Sequence, residues 1–170
     1  MRILGAIIAG GKSRRFGSDK AALSIAGLPL LEQVHQALVP QVDEVVVCGR
    51  DWQGMVCLAD VPCDGLGPLG GLAGAMCHAQ AQGFDAVLSV PVDTFPLPGD
   101  LVARLQPLPA AFAHQYLIGL WPAALAMPLE HHLAQGHRSV RSWIAACDCT
   151  LVEHGAPALT NINHPRDAPA

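Results

Sequence analysis

Residues Ile3–Ile8, ILGAII, carry no polar side chain and run directly into Ala9-Gly10-Gly11-Lys12. A short, uniformly apolar run closed by glycines predicts a strand buried on both faces. Such strands belong to parallel sheets with helices above and below. Val42–Cys48 and Asp85–Val90 predict further buried strands, with a short one at Met55–Leu58. Pro29–Val39 places Leu30, Leu31, Val34, Ala37 and Leu38 at the spacing of a helix with one buried face. A helix of small residues is expected from about Leu69 to near Gly83. Beyond it, Pro98–Leu105 predicts a helix and Ala110–Leu120 a strand with a break at His114–Gln115. Pro122–Leu133 and Ser139–Cys147 predict helices, and Thr150–Val152 a last strand. Strands alternating with helices predict an α/β fold with a mostly parallel sheet and helices on both faces. At 170 residues, one domain with a sizeable core is expected.

Only 14% of the residues are charged and 51% are hydrophobic, which excludes a disordered chain. A net charge of −4 gives no basic face for nucleic acid. The six cysteines form no C-x-x-C pair, and the eight histidines form no H-E-x-x-H, so neither a zinc site nor a disulfide framework is expected. The apolar start is too short for a signal peptide, and no run reaches the length of a membrane span. A cytoplasmic protein is expected.

The few charges are unevenly placed. Arg2, Lys12, Arg14, Arg15 and Lys20 are five of the ten basic residues, and all fall within the first twenty positions. Four of them, Lys12, Arg14, Arg15 and Lys20, lie in AIIAGGKSRRFGSDKAAL, Ala6–Leu23, among Gly10, Gly11 and Gly17. Glycine backbone amides can converge on one anion, with Arg15 as a fork and Lys20 as a point charge at phosphate oxygens. In parallel sheets ligands sit outside the carboxyl ends of the strands. The glycine run follows the first strand, Asp60 the third and Asp93 the fourth. One reading is a P-loop, since AIIAGGKS nearly matches G-x-x-x-x-G-K-[ST] with Ala6 in the first glycine's place. Two features disfavour it. Ala6–Ala9 belongs to the apolar run, and Arg-Arg-Phe-Gly follows Ser13 where a helix should run.

The whole run resembles the signature of the molybdenum cofactor guanylyltransferases, the MobA family, roughly L-A-G-G-x-S-x-R-M-G-x-D-K-A-L. Both glycines, Ser13, Arg15, Gly17, Asp19, Lys20 and Leu23 agree, while Ile8 and Phe16 depart mildly. Further segments resemble the family in order: GPLGGLAGAM at Gly67–Met76, PVDTFPLP at Pro91–Pro98, LIGLWPAAL, GHRSVRSWI, and TNINHPRD near the end.

The resemblance implies a single-domain Rossmann-like nucleotidyltransferase fold. Residues 1–100 would bind GTP and 101–170 the acceptor. It implies transfer of GMP from GTP to the terminal phosphate of molybdopterin, usually carrying molybdenum, with release of pyrophosphate. That phosphate is already ionised, so the demand is for charge stabilisation rather than a strong base. Mg2+ suits this, held by few carboxylates and many phosphate oxygens. The implied catalytic set is Arg15, Lys20 and Asp93, with Asp93 holding the metal. Ile8, Ala9, Gly10 and Gly11 would give backbone contacts to the nucleotide. Asp60 would accept from guanine N1–H and N2–H2, with Asp64 as a competing choice. Asn161 and Asn163 fall on a C-terminal N-x-N that meets nucleotide or pterin, and Arg138 and Arg141 are candidates for the pterin phosphate. Asp19 reads as a loop or cap residue. Molybdoenzymes or other cofactor-assembly proteins are candidate partners.

Two departures bear on this. A family asparagine that faces the base falls at Cys48, and cysteine is a poor hydrogen-bond partner. The stretch from Leu105 to Leu117 is also shorter than the family's, which supports GTP binding better than molybdopterin binding. A related nucleotidyltransferase using CTP or another acceptor is the alternative, as is a catalytically degenerate GTP-binding homologue acting as an adaptor.

Overall fold

The computed structural model describes residues 1–10, 19–155, 159–162 and 167. Within them a seven-stranded sheet has the order β5-β4-β1-β6-β8-β7-β9. Its strands are β1 (Ile3–Ile8), β4 (Glu44–Cys48), β5 (Val56–Leu58), β6 (Ala86–Pro91), β7 (Ala110–Phe112), β8 (Gln115–Pro122) and β9 (Thr150–Val152). A separate two-stranded ribbon pairs β2 (Ser24–Ile25) with β3 (Leu28–Pro29). β5, β4, β1 and β6 are mutually parallel, and β7 is parallel to β9. β8 alone runs against its neighbours, antiparallel to both β6 and β7.

Both faces of β1 are buried, as its uniform apolarity requires. Leu4, Ala6 and Ile8 pack on one face beneath α2 (Pro68–Ala81), α4 (Ala126–Ala134) and α5 (Val140–Ala146). Ile3 and Ile7 pack on the other with Leu30, Leu31, Val34 and Leu38 of α1 (Leu30–Leu38). Leu101 of α3 (Leu101–Arg104) joins that second core. Period-two alternation therefore feeds two hydrophobic layers at once. Among the described residues no helix is long and apolar enough to cross a membrane.

α2 is built of small residues because it lies against strand ends. A Cβ on Gly74 would stand 2.4 Å from the Ala59 carbonyl oxygen, and one on Gly71 3.2 Å from Cys48 Cβ. Gly67, at φ +71°, precedes Pro68 at the helix start, a position that favours glycine. α3 covers only the second half of the helix expected over Pro98–Leu105. The expected strand over Ala110–Leu120 is a hairpin, turning at Ala113–His114 with His114 at φ +68°.

Candidate active site

β5, β4, β1 and β6 end at one edge of the sheet, and the site is assembled there. The tips of β1 and β4 are pressed together. Ala9 N donates to Cys48 O (3.0 Å), and Gly49 N donates to Leu58 O (3.0 Å). Any Cβ on Gly10 would come within 2.9 Å of Gly49 Cα. Between these tips and the loop leading into α2 lies an open cleft of about 670 Å³, lined by Gly10, Gly49, Arg50, Asp60, Asp64 and Gly65 among others.

Asp60 is half-buried in this cleft, against the first turn of α2. Its Oδ2 would lie 2.9 Å from a Cβ on Gly70, so glycine there makes room for the carboxylate. Burial first, and then the nearby negative charge of Asp64, push its carboxyl above the ordinary value. The amides of Gly65 and Leu66 bond it and pull the other way. Asp64 is exposed. An acid that is partly desolvated yet braced by backbone amides is poised to accept hydrogen bonds from a ligand.

Cys48, by contrast, is wholly buried beneath the cleft. Its thiol is pushed up to about 12 by burial, with smaller contributions from Asp60 and Cys57. It is a neutral packing residue against Ile8 and Gly71, and it is not among the cleft-lining residues.

Three strand spacings along the same edge, roughly 14 Å away, Asp93 follows β6. Lys20 Nζ donates to Asp93 Oδ2 at 3.1 Å, and both side chains are 23% exposed. Lys20 opens the 3-10 turn Lys20–Ala22, which Asp19 caps by accepting from Ala21 N at 3.2 Å. Asp19 is thus a cap, as its type suggests. It also receives both terminal nitrogens of Arg50, at 2.5 and 2.6 Å. The Arg50 hydrogen bond, ahead of every other influence, holds the Asp19 carboxyl below the usual carboxylate range.

Asn161 is brought to the same place. Its Oδ1 accepts from Thr94 Oγ1 (2.9 Å) and Gln115 Nε2 (3.2 Å). Next to it, Ile162 N donates to the Asp93 carbonyl (2.6 Å). The C-terminal segment therefore docks on the residues that carry Asp93.

Of the residues expected at the site, Lys20, Asp93 and Asn161 form one group. Gly10 and Asp60 form another on the cleft. Ile8 and Ala9 end β1, with Ile8 O accepting from Val92 N (3.2 Å). Arg15, Gly11 and Asn163 lie outside the described residues, as do Lys12, Ser13, Arg14 and Gly17. Arg138 is exposed, and Arg141 sits 5.9 Å from the Tyr116 ring centroid. Gly49 and Arg50 are the site residues that sequence reasoning missed. A signal was present, because Gly-Arg directly follows a buried strand.

A set of three or more metal-ligating side chains is absent among the described residues. A single half-buried carboxylate beside an ammonium nonetheless fits Mg2+, which is habitually held by one or two carboxylates together with substrate phosphates.

Comparison with known proteins agrees with this architecture. Residues 5–154 match the family described as the MobA-like NTP transferase domain. The chain is 35% identical to a molybdenum cofactor guanylyltransferase of Cereibacter sphaeroides, covering 98% of this chain and 94% of that one. It is 33% identical to one of Rhodobacter capsulatus, covering 98% and 93%. In structure it resembles molybdopterin-guanine dinucleotide biosynthesis protein A of Archaeoglobus fulgidus (TM-score 0.67, 18% identity, 88% and 83% covered). It also resembles a 2-C-methyl-D-erythritol 4-phosphate cytidylyltransferase of Thermus thermophilus (TM-score 0.66, 19% identity, 98% and 94% covered). The fold is thus the Rossmann-like nucleotidyltransferase type, and the chain belongs to the MobA-like NTP transferase family.

Proposed function

We propose that this protein transfers GMP from GTP to the terminal phosphate of molybdopterin, forming the guanine dinucleotide cofactor and pyrophosphate. The observation that carries this reading is the division of one sheet edge. A cleft with a braced acid lies on one side of β1, and a Lys20–Asp93 pair lies on the other. A nucleoside triphosphate spans such an edge with its base at Asp60 and its phosphates toward Lys20.

Each residue then has a defined task. Asp60 accepts from guanine N1–H and N2–H2, which adenine does not offer together. Gly10 brings the backbone close to the nucleotide. Lys20, with Arg15, neutralises the triphosphate. The acceptor phosphate oxygen forms a bond to the α-phosphorus as the bond to the β-phosphate oxygen breaks, and pyrophosphate leaves with that oxygen's electron pair. The protein contributes position and charge rather than a base. Asp93 would hold Mg2+, which when bound supplies positive charge to the phosphate oxygens. Residues 1–100 serve the nucleotide and 101–170 the acceptor, with Asn161 on the acceptor side of Asp93. The product passes to molybdoenzymes or to other cofactor-assembly proteins.

A second reading, a CTP-using transferase or one with another acceptor, is favoured by two observations. Cys48 offers the base no polar group, and the β7–β8 turn is short. Calorimetric titration of GTP, CTP and ATP with Mg2+ separates the readings, on wild type and Asp93→Ala. Tight GTP binding, weakened by Asp93→Ala, together with pyrophosphate release from GTP and molybdopterin is the expected result. A preference for CTP would replace the guanylyl reading. Absence of binding by any nucleotide would make the chain a degenerate relative.

A further inference from the structure

We propose that Arg50 is a positioning residue for this reaction: by gripping Asp19 it sets where Lys20 meets Asp93. The inference rests on the nucleotidyl-transfer reading for its consequence, but its geometry stands independently.

The strand order supplies the argument. Arg50 follows β4, Asp93 follows β6, and β1 lies between them. Asp19 and Lys20 are sequence neighbours whose side chains reach opposite ways, Asp19 to Arg50 and Lys20 to Asp93. Together they strap the carboxyl end of β1 across two strand spacings, roughly 10 Å. The strap is seated from below as well, since Ala21 is buried in the core against α1.

Arg50 is prepared for this task. Its Nε is buried without a partner among the described residues, and its guanidinium lies 5.4 Å from the Trp52 ring centroid. Both terminal nitrogens go to the two Asp19 oxygens in a fork-to-fork match that lysine cannot make. Both are turned to Asp19 even though Arg50 lines the cleft, which assigns Arg50 to Asp19 rather than to a nucleotide. The pair is partly exposed (27% and 47%), so its contribution to overall stability is small. Its location, one residue from Lys20, points instead to register at the site.

The test is a double-mutant cycle. Asp19→Asn keeps an oxygen for the cap but loses the charge, and Arg50→Gln removes the fork. Each single change is expected to lower kcat by about tenfold to a hundredfold, the scale of a small misplacement of a charged group. Melting temperatures should hardly move. The double variant should be no worse than the weaker single, and Arg50→Lys should fail to recover kcat. The rate of acylation of Lys20, read by mass spectrometry on the nucleotide-free protein, should rise in both single variants as the ammonium leaves Asp93. Asp93→Ala provides the reference. That readout needs no turnover, so a wild type that releases no pyrophosphate would overturn the assigned reaction while the labelling still judges the strap. Unchanged Lys20 labelling in both variants would overturn the proposal. So would effects on kcat that multiply in the double variant, or an Arg50→Gln defect far larger than that of Asp19→Asn.

Discussion

A Cβ placed on Gly49 would stand 2.5 Å from Gly10 Cα, and Gly49 holds φ at +82°. The two glycines at the tips of β1 and β4 are therefore a single packing unit: neither accepts a side chain, and the cleft floor depends on both. Gly49→Ala adds left-handed backbone strain to a backbone clash and should cost about 2–4 kcal/mol. The melting temperature should fall by about 5–15 °C. Thermal denaturation of the nucleotide-free protein checks this. An unchanged melting temperature would mean that the tips are looser than described.

Lys20 and Asp93 face each other and would share one polyanion. Lys20→Ala and Asp93→Ala should each reduce kcat by on the order of 10²–10³, as for loss of one preorganised charge at a reacting phosphate. Lys12→Ala should be mild. A severe Lys12→Ala with a mild Lys20→Ala, in steady-state pyrophosphate release, would return the loop to the P-loop reading.

Burial of Asp60 carries a stability penalty at neutral pH. Its folded carboxyl titrates above its unfolded value of 3.8 because of burial and Asp64. The stabilising contribution is present below the unfolded value and is lost as pH rises through the folded one. At neutral pH ionised Asp60 therefore costs stability. Asp60→Asn should raise the melting temperature at pH 7, and the difference should close as the pH falls into the carboxylate range. The same change should weaken GTP binding by about 10–100-fold, the worth of a hydrogen bond to a charged group. Melting curves across pH and GTP calorimetry on one variant measure both.

Trp121 is buried with its indole nitrogen donating to Ser89 Oγ at 2.8 Å, and Ser89 in turn donates to Leu117 O at 2.6 Å. Ser89→Ala strands the indole N–H inside the core and should cost about 1–3 kcal/mol. Ser89→Thr keeps the hydroxyl and tests crowding instead. Urea denaturation with Trp fluorescence reports the effect.

How far the sequence reaches depends on the range of the interaction. The limits of β1 were legible to the residue, because a strand buried on both faces differs sharply in composition from its flanks. β9 also falls at the expected Thr150–Val152, although it is a largely exposed edge strand. Asp60 and Asp93 were legible as acids placed just past buried strands. The direction of β8 was not, since apolar periodicity is the same for either orientation. α3 is shorter than its apolar spacing because Pro98-Gly99 breaks the first half. Arg50 marks itself only by its place just after a buried strand; its pairing with Asp19 was not legible, because that partner is 31 positions away. The β2–β3 ribbon is too short to leave a pattern.

The reversal of β8 has a further meaning. β7 ends and β8 begins at the edge where β1, β4, β5 and β6 end, so the tight turn at Ala113–His114 stands on the rim of the site while its strands anchor deep in the sheet. Residues inserted there would extend over the sheet edge that carries Asp93 without shifting Gly10, Asp60 or Lys20. On the proposed reading, a longer hairpin would change what stands beside Asp93 while leaving the Gly10–Gly49 contact and the Lys20–Asp93 pair in place.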